Sequence, residues 1–345
     1  MSQPQGKLVL LTGATGHVGH AVLLRALEAG YQMRITVRES SQAGPIRQSV
    51  ADKDHDLNQL SFTTIPDLTE PGVFDNALQG VTHIIHIASP LARPSCTDFN
   101  RDIIAPSVDG TANLLSSALQ HPTIQRIIIT SSTSAIVDIT DLSQSPAPPI
   151  PPTHRHPNYP PEFITTSEHA YVAAKTAALN LTDAFRTQQS PHFEIINLLP
   201  GYVFGSKGLA TSPKQVISGS NVFGIGLAMR KGSWRDLVIE AMSCHVDDLA
   251  DAHVNALDQR VPGNQDFILS VPFEPGAVRE IVRERFPEAV GEGGVLVGGD
   301  ESYRWFHLSY DVTNSEKVLL QREMKGIEEQ IVDTARQVLD LAGRQ

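Results

Sequence analysis

Residues 7–19 read Lys-Leu-Val-Leu-Leu-Thr-Gly-Ala-Thr-Gly-His-Val-Gly, and no other stretch of the chain limits its fold as tightly. Residues 8–11 are an unbroken apolar run of strand length, the pattern of a strand covered on both faces. Gly13, Gly16 and Gly19 follow, and then Val18, Val22, Leu23 and Leu27 recur with helical spacing. A buried strand, a glycine turn and a helix N-terminus bring bare backbone amides against a phosphate. Glycine turns alone are common for steric reasons. This one follows a strand and opens a helix, which is the context a dinucleotide site needs.

The rest of the chain extends that unit. Gly30 stops the first helix, and 32–37 is the second predicted strand, with Arg38 just beyond it. An acidic residue at that place binds ribose hydroxyls, whereas arginine suits a 2′-phosphate. Arg38 supplies a planar, permanently charged fork, so NADPH/NADP+ is expected ahead of NADH, with Glu39 as a complicating neighbour. Further strands are expected at 60–65, 83–88, 125–130, 194–199 and 267–271. Helices are expected within 44–59 and at 74–78, 99–119, 167–187 and 327–341, with Asp247 or Asp248 capping one more. Alternation at this rhythm implies an α/β fold with a doubly wound parallel sheet of Rossmann type. Beyond residue 205 the rhythm breaks. We therefore expect a cofactor-binding domain from 1–205 with 245–272, and a smaller C-terminal substrate lobe from 206–244 with 273–345.

Residues 143–161 contain eight prolines and almost no aliphatic periodicity, which excludes regular helix or a central strand. His154 and His156 lie there without a further nearby ligand, so no metal is assigned.

Composition narrows the function. The 345 residues carry a net charge of −11 without a basic run, which argues against nucleic acid or an anionic membrane as partner. Only Cys96 and Cys244 occur, too few for a disulfide framework or a zinc cluster. There is no basic-then-apolar leader and no apolar run of membrane-spanning length, so a cytoplasmic protein is expected.

Tyr171 and Lys175 are four residues apart on a predicted helix and share one face. A phenol with a pKa of about 10 exchanges protons poorly at neutral pH, and a neighbouring ammonium is expected to lower it. Such a pair occurs on many amphipathic helices. Here, however, the glycine turn, a serine at a strand end and the pair come in an order that puts all three at the carboxyl edge of one sheet.

With these residues the chain resembles the extended type of the short-chain dehydrogenase/reductase superfamily. The matching motifs are Thr12-Gly13-x-x-Gly16-x-x-Gly19, Asp67-Leu68, Thr130-Ser131-Ser132, Tyr171-x-x-x-Lys175, Pro200-Gly201-x-Val203-Phe204-Gly205 and His245-Val246-Asp247-Asp248-Leu249-Ala250. Val37-Arg38, the segment from His86 to Pro90 and the late 311–315 segment resemble the branch of dihydroflavonol, cinnamoyl-CoA and fungal ketone/aldehyde reductases. The resemblance implies that Ser132 hydrogen-bonds a substrate carbonyl, Tyr171 delivers the proton and Lys175 also holds the nicotinamide ribose. It places Gly13, Thr15, Gly16, His17, Val18, Gly19 and Arg38 on the phosphates. Asp67 and Leu68 border the adenine, Ala88 and Ser89 line the cleft, and Pro200 and Val203 lie near the nicotinamide. The chain departs from the family where Ser107-Val108-Asp109-Gly110-Thr111 replaces a run that often begins with asparagine, and where Ala174 precedes the lysine. Strand alternation turns Ser131 away from Ser132.

The leading expectation is an NADPH-dependent reductase of a ketone or aldehyde on a small-molecule carbonyl substrate. Two others stay open: an NAD-dependent epimerase or hydroxysteroid-type dehydrogenase, and a non-enzymatic NADP-binding sensor. Val137, the proline-rich loop, 202–207 and 214–229 are expected to frame the substrate. Phe204, Phe223, Met229 and Trp234 are either its apolar wall or core of the lobe. Oligomeric state is not legible.

Overall fold

The computed structural model describes residues 7–91, 96–138, 148–229, 238–290 and 304–343. The first half is a strand–helix alternation: β1 (Leu8–Thr12), α1 (His17–Glu28), β2 (Gln32–Val37), α2 (Ala43–Ala51), β3 (Leu60–Thr64), β4 (His83–His86), α3 (Ala105–Leu119), β5 (Arg126–Thr130), α4 (Ser167–Gln189) and β6 (Glu194–Pro200). There follow β7 (Tyr202–Phe204), α5 (Pro213–Val216), α6 (Ile225–Met229), β8 (Val238–Glu240), β9 (Met242–His245), α7 (Val246–Asn255), β10 (Asp266–Leu269), β11 (Val271–Pro272), α8 (Pro275–Arg285), β12 (Arg304–Phe306) and α9 (Ile327–Leu341).

Seven strands form a parallel sheet in the order β10-β6-β5-β4-β1-β2-β3. Leu10 of β1 stands between Arg34 of β2 and Ile84 of β4, so the chain order reverses at β1. That reversal opens a crevice at the carboxyl ends of the strands, where such sheets take ligands. Both faces are covered, which the unbroken apolar run of β1 requires. Val9 and Leu11 pack on one side with Val22, Leu23 and Leu249, and Leu10 packs on the other with Leu114, Leu115 and Phe74. Two small sheets, β11-β9-β7 and β12-β8, carry the chain over the crevice.

Three local expectations need correction, and one open alternative is decided. Residues 74–78 are turns rather than a helix, set between Gly72 and Gly80, both at positive φ. The helix expected over 99–119 begins as a π-helical turn, Asn100–Ile104, because Pro106 enters the first turn of α3 without an N–H to give. The cap of α7 is His245, whose Nδ1 accepts the Asp247 amide at 3.0 Å, so Asp247 and Asp248 fall inside the first turn. Phe204 is fully buried, packs edge-on to Phe273 and gathers Phe223 and Met229 around it, so these are core. Trp234 lies outside the described residues, as do 143–147 of the proline-rich stretch. No helix among the described residues is long and apolar enough to cross a membrane.

Candidate active site

The glycine turn is held by contacts that leave no room for side chains. Gly13 has φ +81°, and a Cβ there would lie 2.9 Å from the Ala88 amide nitrogen; one on Gly19 would lie 2.1 Å from the Gly13 carbonyl oxygen. At the tip, Thr15 and Gly16 are exposed at the mouth of α1, which leaves the helix N-terminus open to an anion. His17 and Val18, in the first turn, are half-buried. His17 Nε2 lies 3.1 Å from the Ser206 carbonyl. Burial foremost, and Lys207 after it, push His17 down to about 3, so the ring is neutral and Nε2 donates to Ser206. The turn and the 202–207 segment are thereby joined.

The edge beyond β2 and β3 suits a phosphorylated ribose. Arg38 is exposed and forms no ion pair among the described residues. Glu39 is taken up in capping the short 3₁₀ turn that follows, with Gln42 closing the box, so it does not compete for the Arg38 side. Asp67 receives the amide and hydroxyl of Thr69 at 2.8 and 2.7 Å; these bonds, with a smaller contribution from Arg38, hold its carboxyl below the usual range. The Leu68 carbonyl accepts from Asn113 Nδ2 at 3.0 Å, and bare Gly110 lets α3 approach Leu68. Ser89 Oγ meets Ser107 Oγ at 3.1 Å. A glycine cradle, an open helix N-terminus and an exposed arginine fit a dinucleotide bearing a 2′-phosphate.

Ser132, Tyr171 and Lys175 come together at the end of β5. Ser132 Oγ accepts from the Ser134 amide at 3.2 Å and lies 2.9 Å from Ser134 Oγ, and its side chain hydrogen-bonds toward the Tyr171 phenol. Tyr171 is half-buried, whereas Lys175 is nearly sealed and donates to the Thr130 carbonyl at 3.1 Å. The lysine nitrogen is 5.9 Å from the tyrosine ring centre. The expected lowering of the phenol by the ammonium is not met: burial pushes Tyr171 up, against the pull of Ser132, and pushes Lys175 down to about 8. A phenol so raised is protonated at neutral pH, the state from which a proton donor must start. Ser131, as alternation requires, turns the other way, its hydroxyl buried without a protein partner.

Behind Lys175 lies a cavity of about 20 Å³ that takes in Ser107, Ser131, Thr130 and Asn197. The Ser131 hydroxyl and the Asn197 carbonyl oxygen have no partner there. Its size and its unpaired polar lining suit one water molecule.

Near the segment 202–207 expected to frame the substrate stand Glu240 and Tyr310, which sequence reasoning did not single out. Tyr202 of β7 stacks on Phe223 with ring centres 4.7 Å apart. Its phenol is raised by burial first and then by the charges of Glu240, Tyr171 and Glu168. Tyr310 donates to Glu240 Oε1 at 2.6 Å and hydrogen-bonds Thr133, the neighbour of Ser132. Pro200 and Val203 are buried at the ends of β6 and in β7. His156 stacks on Tyr159 with ring centres 4.3 Å apart.

Such a crevice, with a serine, tyrosine and lysine at the open edge of a doubly wound sheet, defines a dinucleotide-binding α/β protein built for chemistry on a carbonyl or carbinol. Comparison with known proteins agrees. Residues 9–270 match the model of the NAD dependent epimerase/dehydratase family. The chain is 46% identical over 364 residues to NAD-dependent epimerase/dehydratase FUM13 of Gibberella moniliformis, covering 99% of this chain and 97% of that one. It is 31% identical over 344 residues to ketoreductase CTB6 of Cercospora nicotianae, covering 97% and 95%. Among solved structures, yeast methylglyoxal/isovaleraldehyde reductase Gre2 complexed with NADPH superposes with a TM-score of 0.80 at 24% identity, covering 98% of this chain and 100% of that one. The chain belongs to the NAD dependent epimerase/dehydratase family.

Proposed function

We propose that the protein is an NADPH-dependent reductase of a ketone or aldehyde, acting in the cytoplasm on a small-molecule substrate. The observation that carries this reading is the meeting of Ser132, Tyr171 and Lys175 at the carboxyl edge of the sheet, with the lysine nitrogen 5.9 Å from the tyrosine ring centre and tied to the Thr130 carbonyl at the end of β5. A ketoreductase among the relatives supports it. NADPH, when bound, supplies the hydride. The chain's own residues do the rest. The glycine turn with Gly13, Thr15, Gly16, His17, Val18 and Gly19 holds the pyrophosphate, and Arg38 the 2′-phosphate. Asp67 and Leu68 flank the adenine, Ala88 and Ser89 wall the cleft, and Pro200 and Val203 back the nicotinamide. Ser132 donates to the carbonyl oxygen and Tyr171 gives it a proton, so charge developing there meets two preorganised donors. Lys175 fixes the ribose and, through the polar cavity, connects Tyr171 to Ser107 and Asn197 for reprotonation. The substrate lobe is assigned to 206–244 with 273–345.

NADPH consumption across ketones, aldehydes and thioesters tests the proposal. Loss of that consumption in Tyr171→Phe supports it, and full retention overturns the tyrosine's role. One relative's name, epimerase/dehydratase, keeps a second reading in view. An epimerase retains NAD through its cycle, so NAD in the protein as purified, rather than exchangeable NADPH, would favour it.

A further inference from the structure

Residues 205–207 lead out of β7 outside any strand, yet every backbone polar group of the three is taken by a side chain. Asn221, fully buried, accepts the Gly205 amide at 3.2 Å and donates to the Gly205 carbonyl at 2.8 Å. Gln337 does the same for Lys207, accepting at 2.7 Å and donating at 2.8 Å. A primary amide carries both a donor and an acceptor, so each can pair with one residue as a neighbouring strand would. Between them, the Ser206 amide donates to Asp333 Oδ2 at 2.7 Å, and the Ser206 carbonyl accepts from His17 Nε2 at 3.1 Å.

These partners come from two parts of the molecule. His17 opens α1, one residue past Gly16 of the glycine turn. Asn221 sits in the 3₁₀ turn Gly219–Phe223, and Asp333 and Gln337 are four residues apart on one face of α9. All three belong to the lobe assigned to the substrate. The opposite face of α9 packs Ile331 and Ala335 into the core of that lobe beside Phe204 and Phe273. The Lys207 ammonium adds bonds within the same lobe, to the Gln215 and Ser218 carbonyls at 3.2 and 2.6 Å. Breaking any of the backbone contacts leaves a polar group short of a partner, so the segment follows α9 on one side and His17 on the other.

We propose that residues 205–207 tie the substrate lobe to the pyrophosphate-binding turn, and that Asp333 and Gln337 are positioning residues for the cofactor. Neither needs to touch it. Seating the pyrophosphate on the glycine turn fixes His17, then Ser206, then α9. By reciprocity, an ordered α9 strengthens the hold on the pyrophosphate. This rests on the dinucleotide part of the reductase reading and is independent of the reaction catalysed.

The test compares NADPH with adenosine 2′-monophosphate, which suits the Arg38 edge and has no pyrophosphate. Asp333→Ala and Gln337→Leu should each weaken NADPH binding by about tenfold and leave binding of the monophosphate unchanged. Asp333→Asn, which can still accept the Ser206 amide, should bind NADPH as the native protein does. An equal loss for both ligands, or no loss for NADPH, would overturn the tie. So would a loss in Asp333→Asn as large as that in Asp333→Ala. Hydrogen exchange of the native protein reads the same coupling without a variant. NADPH should slow exchange of the Ser206 and Lys207 amides and of α9, and the monophosphate should not; equal protection by both would refute the coupling. If the native protein takes NADH instead, the NADPH reading falls, and the same comparison of NADH with adenosine decides the tie.

Discussion

The Thr12 hydroxyl and His86 Nδ1, 2.9 Å apart, lock the first and fourth strands together directly beneath the glycine turn. The same hydroxyl oxygen accepts the amides of Ile87 and Ala88, each at 3.1 Å. Both its lone pairs are used, so its proton goes to Nδ1, and His86 is the neutral tautomer protonated on Nε2. Burial, with Lys175 after it, pushes His86 down to about 3, in accord with that assignment. Thr12→Val keeps the volume and strands two amides, at a cost of about 2–4 kcal/mol. Denaturant unfolding should show that loss, NADPH titration should show weaker binding, and Thr12→Ser should restore both.

Removing single groups from the proton-donating set should separate chemistry from binding. Tyr171→Phe should lower kcat by about 100- to 10,000-fold while NADPH affinity is kept, because only the proton donor is lost. Lys175→Met should lower kcat and weaken NADPH binding together. Single-turnover rates and fluorescence titration distinguish the two patterns, and a Tyr171→Phe variant that loses only cofactor affinity would contradict the assignment.

Arg38 should set the choice of cofactor. Arg38→Ala is expected to raise the KM for NADPH by about 10- to 100-fold, the worth of charge-assisted bonds to a phosphate, and to leave that for NADH nearly unchanged. An unchanged NADPH/NADH ratio would place the 2′-phosphate elsewhere.

Acid should unfold the protein through its buried histidines. Burial lowers His17 and His86 to about 3, and His20, His83 and His253 to about 4, against about 6.5 in an unfolded chain. Between these values the unfolded state binds more protons, so stability falls as pH drops below 6.5. Each such proton contributes a slope of about 1.4 kcal/mol per pH unit. Urea midpoints from pH 7 to pH 4 should fall steeply, and His83→Gln should shallow the slope. A flat profile would refute the burial argument.

What could be read from the sequence was local. The glycine turn declares itself because strand, turn and helix are contiguous, and Tyr171 with Lys175 because one helical turn separates them. Arg38 was legible from its place after a strand, and α9 from its periodicity to both ends. The rest depended on distance. Thr12 and His86 are 74 residues apart and Glu240 and Tyr310 are 70 apart, and no spacing rule pairs them. The turn at 74–78 was misread because an apolar cluster between glycines satisfies a helical pattern as readily as a folded-back loop. Phe204 was ambiguous because core and pocket wall ask for the same side chain.

Ile150, in the proline-rich stretch, bridges the backbone at Tyr310: its amide donates to the Ser309 carbonyl at 2.8 Å, and its carbonyl accepts from the Asp311 amide at 2.9 Å. The loop beside the Tyr171 helix thus has its partner 160 residues downstream. During synthesis the glycine turn, the serine and the tyrosine all emerge well before that partner exists. That contact can close only after the strands that carry the chemistry have emerged, and closing so long a loop carries an entropic cost. A chain ended short of Tyr310 should discriminate poorly among carbonyl compounds.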